Sequence, residues 1–173
     1  MAEIHGGIAM SKQDNDKKKQ SVDFSVKATW LAIAKMYNVL GAEHGITHSN
    51  GFVLLNIDKE HGTPATKIAP LMGMEARSLS RMLKTMEEEG MIYRQQDEKD
   101  RRKVLICLTE EGKIKREASR QVVKEFNKRV REAVSEEKMQ VFFEVIDKIN
   151  EVVESYKMPT LELDLDEESL AVK

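Results

Sequence analysis

A mainly α-helical fold carrying one small β-hairpin is what this 173-residue sequence predicts, and three features carry that reading. Apolar residues recur at three-to-four spacing in long segments near both ends of the chain. Two short helical segments meet at a glycine turn in its middle. The stretch "DEKDRRKVLICLT", Asp97 to Thr109, passes without a break from dense charge into β-branched and aliphatic residues. Taken in order, these are two helices, two short helices at a tight turn, a hairpin and two long helices, which is the order of a winged helix-turn-helix with terminal helices left for association.

Composition bounds the rest. The length suits one domain with a real core. No apolar run approaches the roughly 20 residues that cross a bilayer, and the N-terminal segment is polar and lysine-bearing, so a cytoplasmic protein with no membrane partner is expected. Cys107 is the only cysteine, which excludes an internal disulfide framework and a Cys-rich metal knuckle. A formal net charge of −2 gives no global basic signature. The charge is nevertheless segregated: "TLELDLDEESLAVK" concentrates Glu162, Asp164, Asp166, Glu167 and Glu168, whereas residues 77–84 and 99–131 are rich in Lys and Arg.

Residues 1–20 have little to bury and are expected to be disordered, with Met10 a candidate native start. From Val22 to Leu40, the spacing of Val26, Trp30, Ile33, Tyr37 and Leu40 predicts a first amphipathic helix, closed by Gly41 and Gly45. In "THSNGFVLLNID", Thr47 or Ser49 can cap a second helix whose apolar centre fits helix or strand; its helical flanks favour helix.

In "GTPATKIAPLMGMEARSLSRMLKTMEEEG", Thr63 and Pro64 read as an N-cap and first-turn pair, and Gly73 as the turn. A new helix starts near Met74 or Glu75 and stops at Gly90. Leu79, Met82, Leu83 and Met86 fall on one of its faces, which leaves Arg77, Arg81 and Lys84 on the opposite face, flanked by Ser78 and Ser80. A helix fits the B-DNA major groove, where Arg, Lys and Ser on its outer face reach base edges and phosphates. The strand reading of "MIYRQQ" and of Val104–Leu108 makes the charged cluster between them a hairpin tip, and an arginine there suits the narrow minor groove. For a charged hairpin taken alone, a solvated turn is the simpler reading. Beyond it, Ile114, Ala118, Val122, Phe126 and Val130 recur every four residues, so their stripe drifts around a long helix that can touch two partners. Phe142, Val145, Ile146, Ile149, Val153 and Tyr156 mark a terminal helix after Ser135, where "SEEK" resembles a capping sequence.

The segment "LSRMLKTMEEEGMIYRQQDEKDRRKVLICLTEEGK" closely resembles the helix, wing and strand of the multiple-antibiotic-resistance regulator (MarR) family, with a wing pattern D-x-x-D-R-R followed by L-T-x-x-G. By order of elements the resemblance extends from about Val22 to Tyr156. It implies a homodimeric transcription factor, most simply a repressor, that binds pseudo-palindromic double-stranded DNA and is released by a small molecule. Carried over position by position, Arg77, Ser78, Ser80, Arg81 and Lys84 match recognition-helix positions, and Asp97, Asp100, Arg101 and Arg102 match the wing. Arg102 is expected to be the minor-groove finger, with Asp100 orienting it or a neighbouring backbone group, because a bare carboxylate would be repelled by phosphate. Two positions depart from the pattern. Glu98 stands where the family usually has Pro, and Pro70 sits inside the first helix of the helix-turn-helix, which it should shorten or bend.

The resemblance divides the chain into a helical dimerisation region (21–46 and 110–157), a DNA-binding lobe (47–109) and an acidic, flexible tail (158–173). Trp30, Met36 and Tyr37 are candidates for an effector pocket, although core packing explains an aromatic stripe equally well. An aromatic or fatty-acyl acid is the expected effector class. His44 and His48 flank Gly45 and Thr47 in a surface turn, with no further Cys or His cluster to complete a tetrahedral set, so no metal is expected. Strand alternation puts Cys107 opposite Val104, Ile106 and Leu108 and predicts partial exposure. The family's sensing cysteine belongs to the first helix, which here has none. No Gly-rich phosphate loop, nucleophile elbow or catalytic spacing is present, so neither catalytic residue nor cofactor is assigned. The alternative from another class is a helical dimer acting through protein contacts, with the winged helix as scaffold.

Overall fold

The computed structural model describes residues 21–98 and 100–156. The expectations for residues 1–20 and for the acidic tail lie outside the described residues. In chain order the elements are α1 (Val22–Gly41), a 3-10 turn (Ala42–His44), α2 (His48–Leu55), β1 (Thr63–Pro64), α3 (Ala65–Leu71), α4 (Ala76–Glu88), β2 (Ile92–Gln96), β3 (Val104–Leu108), α5 (Glu110–Ala133) and α6 (Glu136–Ser155). The chain divides into two compact units between Phe126 and Asn127, inside α5.

The core of the first unit joins Val53 and Leu54 of α2, Ile68 of α3, Leu79, Leu83 and Met86 of α4, and Ile92, Ile106 and Leu108 of the sheet. Each large aliphatic side chain buried there contributes on the order of 2 kcal/mol by leaving water. The sequence builds this core from three periods. α4 presents its i, i+4, i+7 residues, β3 its alternate residues Ile106 and Leu108, and α2 its continuous apolar run.

Local signals set the helix ends. The Thr47 hydroxyl accepts from the Asn50 backbone N–H at 3.1 Å, capping α2. Gly73 and Gly90, at φ 58° and 71°, end α3 and α4 in the left-handed region that a side chain would strain. Beyond each glycine, the Met74 N–H returns to Ala69 O and the Met91 N–H to Met86 O, the six-to-one bond that satisfies a helix's last carbonyls. Pro70 is accommodated because α3 ends one residue later.

Three expectations are corrected. Thr63 and Pro64 do not open a helix; they form β1 and pair with Ile106 and Leu105, and the Thr63 hydroxyl accepts from the Asp58 N–H at 2.9 Å. The long-range strand pairing outweighs the local Thr-Pro signal. Cys107 is buried rather than partly exposed, at 8%, because Gly62 of the β1 approach packs against its Sγ and Gln95 lies on the adjacent strand. Ser135 does occupy the N-cap of α6, but its side chain makes no capping hydrogen bond.

The sheet is antiparallel in the order β1-β3-β2, with Ile92 opposite Leu108 and Gln96 opposite Val104. Its base is tied to α5 by the L-T-x-x-G motif. The Thr109 hydroxyl lies 2.6 Å from Gly90 O and 3.1 Å from Met91 O, and accepts the Gly112 N–H at 2.9 Å. Gly112 has no Cβ where one would collide with the Met91 carbonyl. Lys115 and Arg116 extend the junction, donating to His44 O at 2.6 Å and Leu55 O at 3.3 Å, where the cations favour the carbonyl ends of the preceding helical segments.

Candidate DNA interface and adjoining cavity

α4 separates its residues cleanly. Leu79, Leu83 and Met86 are at most 1% exposed, while Arg77, Ser78, Ser80, Arg81 and Lys84 are all exposed. Burying the first group orients the second outward, since both ride on one rigid helix. The Ser80 hydroxyl donates to Ala76 O at 2.8 Å, and Lys84 sits 3.7 Å from Glu88, an exposed pair of small energetic weight.

The wing tip is built by its acids. The Asp97 carboxylate accepts the Asp100 N–H at 3.0 Å, and the Asp97 N–H donates to Lys103 O, also at 3.0 Å. This closes the turn with Glu98 where proline would otherwise stiffen it. Asp100 Oδ1 accepts both the backbone N–H (3.2 Å) and Nε (3.1 Å) of Arg102, and Lys103 Nζ lies 3.5 Å from Oδ2. The Arg102 guanidinium beside it, followed by the Arg102 N–H, holds the Asp100 carboxyl below its ordinary value. Arg102 remains 91% exposed along its side chain, so the carboxylate steers the guanidinium without covering it. Arg101 is exposed next to it.

A second feature lies in the same unit. α1, α2, α5 and the turn between the first two line a partly open cavity of about 300 Å³. Trp30 and Tyr37 line it; Met36, grouped with them from sequence, does not. The sequence reading missed Ile33, Phe52, Leu55, Val122 and Phe126 as lining residues. The every-fourth-residue stripe of α5 hinted at Val122 and Phe126, and the stripe of α1 at Ile33. Trp30 meets the His48 ring edge-on at 6.0 Å and Tyr37 meets Phe126 at 5.8 Å. Burial raises the Tyr37 hydroxyl's pKa. His44 and His48 supply polar atoms to an otherwise mostly apolar wall. Among the described residues, no group of three or more His, Cys, Asp or Glu side chains is placed to hold a metal ion.

A cationic helix face beside an arginine-tipped hairpin, on a core of short helices and a three-stranded sheet, defines a winged-helix DNA-binding regulator. A model of the MarR family matches residues 46–104. The organic hydroperoxide resistance transcriptional regulator of Bacillus subtilis (strain 168) is 31% identical over 107 residues, covering 62% of this chain and 73% of that protein. The chain belongs to the MarR family of transcriptional regulators and is not an enzyme. Its fold is similar to MepR of S. aureus, solved in a DNA complex, with a TM-score of 0.70 at 20% identity over 76% of this chain and 97% of that one. It is also similar to CouR from Rhodococcus jostii RHA1, solved with p-coumaroyl-CoA, with a TM-score of 0.67 at 19% identity over 82% and 98%.

Proposed function

We propose that the protein is a cytoplasmic, homodimeric repressor that binds a pseudo-palindromic operator and is released by a small apolar effector. The observation that carries the reading is the outward row Arg77, Arg81 and Lys84 on α4 together with the 91% exposed Arg102 of the wing. The helix would enter the major groove and Arg102 the adjacent minor groove, where negative potential is concentrated. Arg101 would contact phosphate, Ser78 and Ser80 would reach base edges or phosphate, and Asp97 and Asp100 would hold the wing in register.

Dimerisation is supported by apolar residues that each terminal helix leaves in water. α1 exposes Val22, Phe24, Val26, Leu31 and Val39. α6 exposes Phe142, Phe143, Val145, Val152 and Val153, with Met139 its one buried residue among those described. Contiguous apolar faces of this kind call for a partner surface. Residues 21–46 and 110–157 would form the dimer, and 47–109 the DNA-binding lobe.

The cavity suits an effector with an aromatic or aliphatic body of modest size, and His44 and His48 could receive an acidic group. It lies between α1, α2 and α5, so a ligand that favours a different spacing of the lobes would lower DNA affinity. A hundredfold release requires about 2.7 kcal/mol of preference for the released state.

Genomic fragments selected by the purified protein, then titrated by fluorescence anisotropy at several salt concentrations, test this reading. Tight binding to a palindrome with a steep salt slope is expected, with a dimer in sedimentation that Phe142→Glu dissociates. No enrichment above bulk DNA by the folded protein would overturn it and favour a dimer acting through protein contacts.

A further inference from the structure

α4 and α5 are separated in sequence by the whole wing, yet one side chain joins their ends. Residues Glu89 to Met91 connect α4 to β2, and Thr109 alone connects β3 to α5. The Thr109 hydroxyl directs its one proton to Gly90 O at 2.6 Å, with Met91 O next at 3.1 Å, and accepts the Gly112 N–H at 2.9 Å. It thereby serves a carbonyl just past the end of the recognition helix and one of the orphan donors at the start of α5. The Thr109 N–H adds a bond to Met91 O at 3.2 Å.

Little else fixes these two helices to each other. The core cluster that holds α4 contains no residue of α5, and Gly112 is the one buried residue of α5 among those described. Lys115 and Arg116 reach His44 O and Leu55 O instead of α4. The Arg94–Glu87 ion pair, at 3.4 Å, joins α4 to β2 and is about two-fifths exposed, so salt weakens it. Thr109 is neutral and half-buried, so its bonds persist at the salt concentrations in which DNA binding is read. We propose that Thr109 is the positioning residue that locks the recognition helix to residues 110–126 of α5, and that the lock carries the spacing of the dimer to α4. The lock stands on hydrogen bonds within the first unit; its part in spacing rests on the dimeric regulator proposed above. With the lock closed, an operator whose half-sites are one base pair nearer or farther is rejected, because the two recognition helices keep one separation. With it open, α4 pivots and the wrong spacing is tolerated.

Spin labels test the lock without DNA. In full-length chain carrying Cys107→Ala, labels are placed by Glu88→Cys on α4 and Lys124→Cys on α5, both exposed and both in the first unit. Pulsed dipolar spectra are recorded in an excess of unlabelled chain, so that only distances within one chain appear. Thr109→Ala should broaden the distance distribution about twofold, and Thr109→Ser, which keeps the hydroxyl, should restore it. Thr109→Val, which keeps the shape without the proton, serves the same comparison if alanine prevents folding. An unchanged width without the hydroxyl, or equal broadening in Thr109→Ser, would overturn the lock. Operator titrations then test its use, on the selected palindrome, on versions with one base pair added or removed at its centre, and on a single half-site. Wrong spacing should cost the wild type about a hundredfold and Thr109→Ala only about tenfold, with equal half-site affinity in the two proteins. Wild-type discrimination in Thr109→Ala would overturn the positioning role. Failure of the wild type to bind any duplex would sink the regulator reading, while the spin-label result would still decide the lock.

Discussion

Arg102 is steered by Asp100, two residues earlier, whose Oδ1 accepts the arginine's own backbone N–H at 3.2 Å and its Nε at 3.1 Å. One oxygen thereby couples the direction of the guanidinium to the backbone of the wing turn, and the charge stays available to solvent. The two residues should fail differently. Arg102→Ala removes a cation and is expected to weaken operator binding about tenfold and lower the salt slope by about one. Asp100→Ala leaves the cation and should leave the slope, costing a few-fold in affinity through lost preorganisation. Anisotropy titrations of both variants across salt distinguish these outcomes; an identical slope change in the two would refute the steering role.

The same contact predicts an acid-side titration. The Asp100 pKa is lowered in the folded wing, first by the Arg102 guanidinium and then by its N–H. A lowered folded pKa contributes stability above the unfolded value, which is lost as pH falls through the folded one. The wing turn should therefore be insensitive to pH near neutrality. In carboxyl-detected NMR the Asp100 midpoint should lie below the ordinary value of about 3.9, and Arg102→Ala should raise it. A midpoint at or above the ordinary value would contradict the geometry.

Gly112 is where α5 meets the base of the wing. A Cβ there would run into the Met91 carbonyl, which is backbone and cannot rotate away. Gly112→Ala is expected to destabilise the first unit by about 2 kcal/mol or more, read as a lower urea midpoint at unchanged m. A neutral substitution would mean that α5 can move off the sheet without cost.

Trp30 is the only tryptophan and lines the cavity, so its emission reports on occupancy. Adding benzoate-class acids should shift that emission saturably. Val122→Phe, which fills the cavity from α5, should abolish the shift while changing operator affinity less than about threefold. An undiminished shift in Val122→Phe would place the ligand elsewhere.

The HTH turn, the wing and the order of helices were legible because each has a local cause. Gly73 and Gly90 sit where backbone φ is positive, Thr47 where a cap is needed, and Leu79, Leu83 and Met86 at helical spacing around an exposed cation row. Thr63 and Pro64 misled because a Thr-Pro pair serves a helix start and a strand equally, and only the distant β3 chooses between them. Cys107 misled in the same way. Alternation correctly places it on the face opposite Ile106, but whether that face is covered depends on Gly62, 45 residues away in the chain.

By itself, then, the sequence determined most of the elements, their faces and the outward row of cations on α4, since these follow from spacing within one helix or one turn. Only the tertiary structure decided which helices surround the cavity, that Met36 falls outside it, and that β1 completes the sheet. Period and capping act over a few residues, whereas packing partners are selected by shape and burial across the whole fold, which no local pattern encodes.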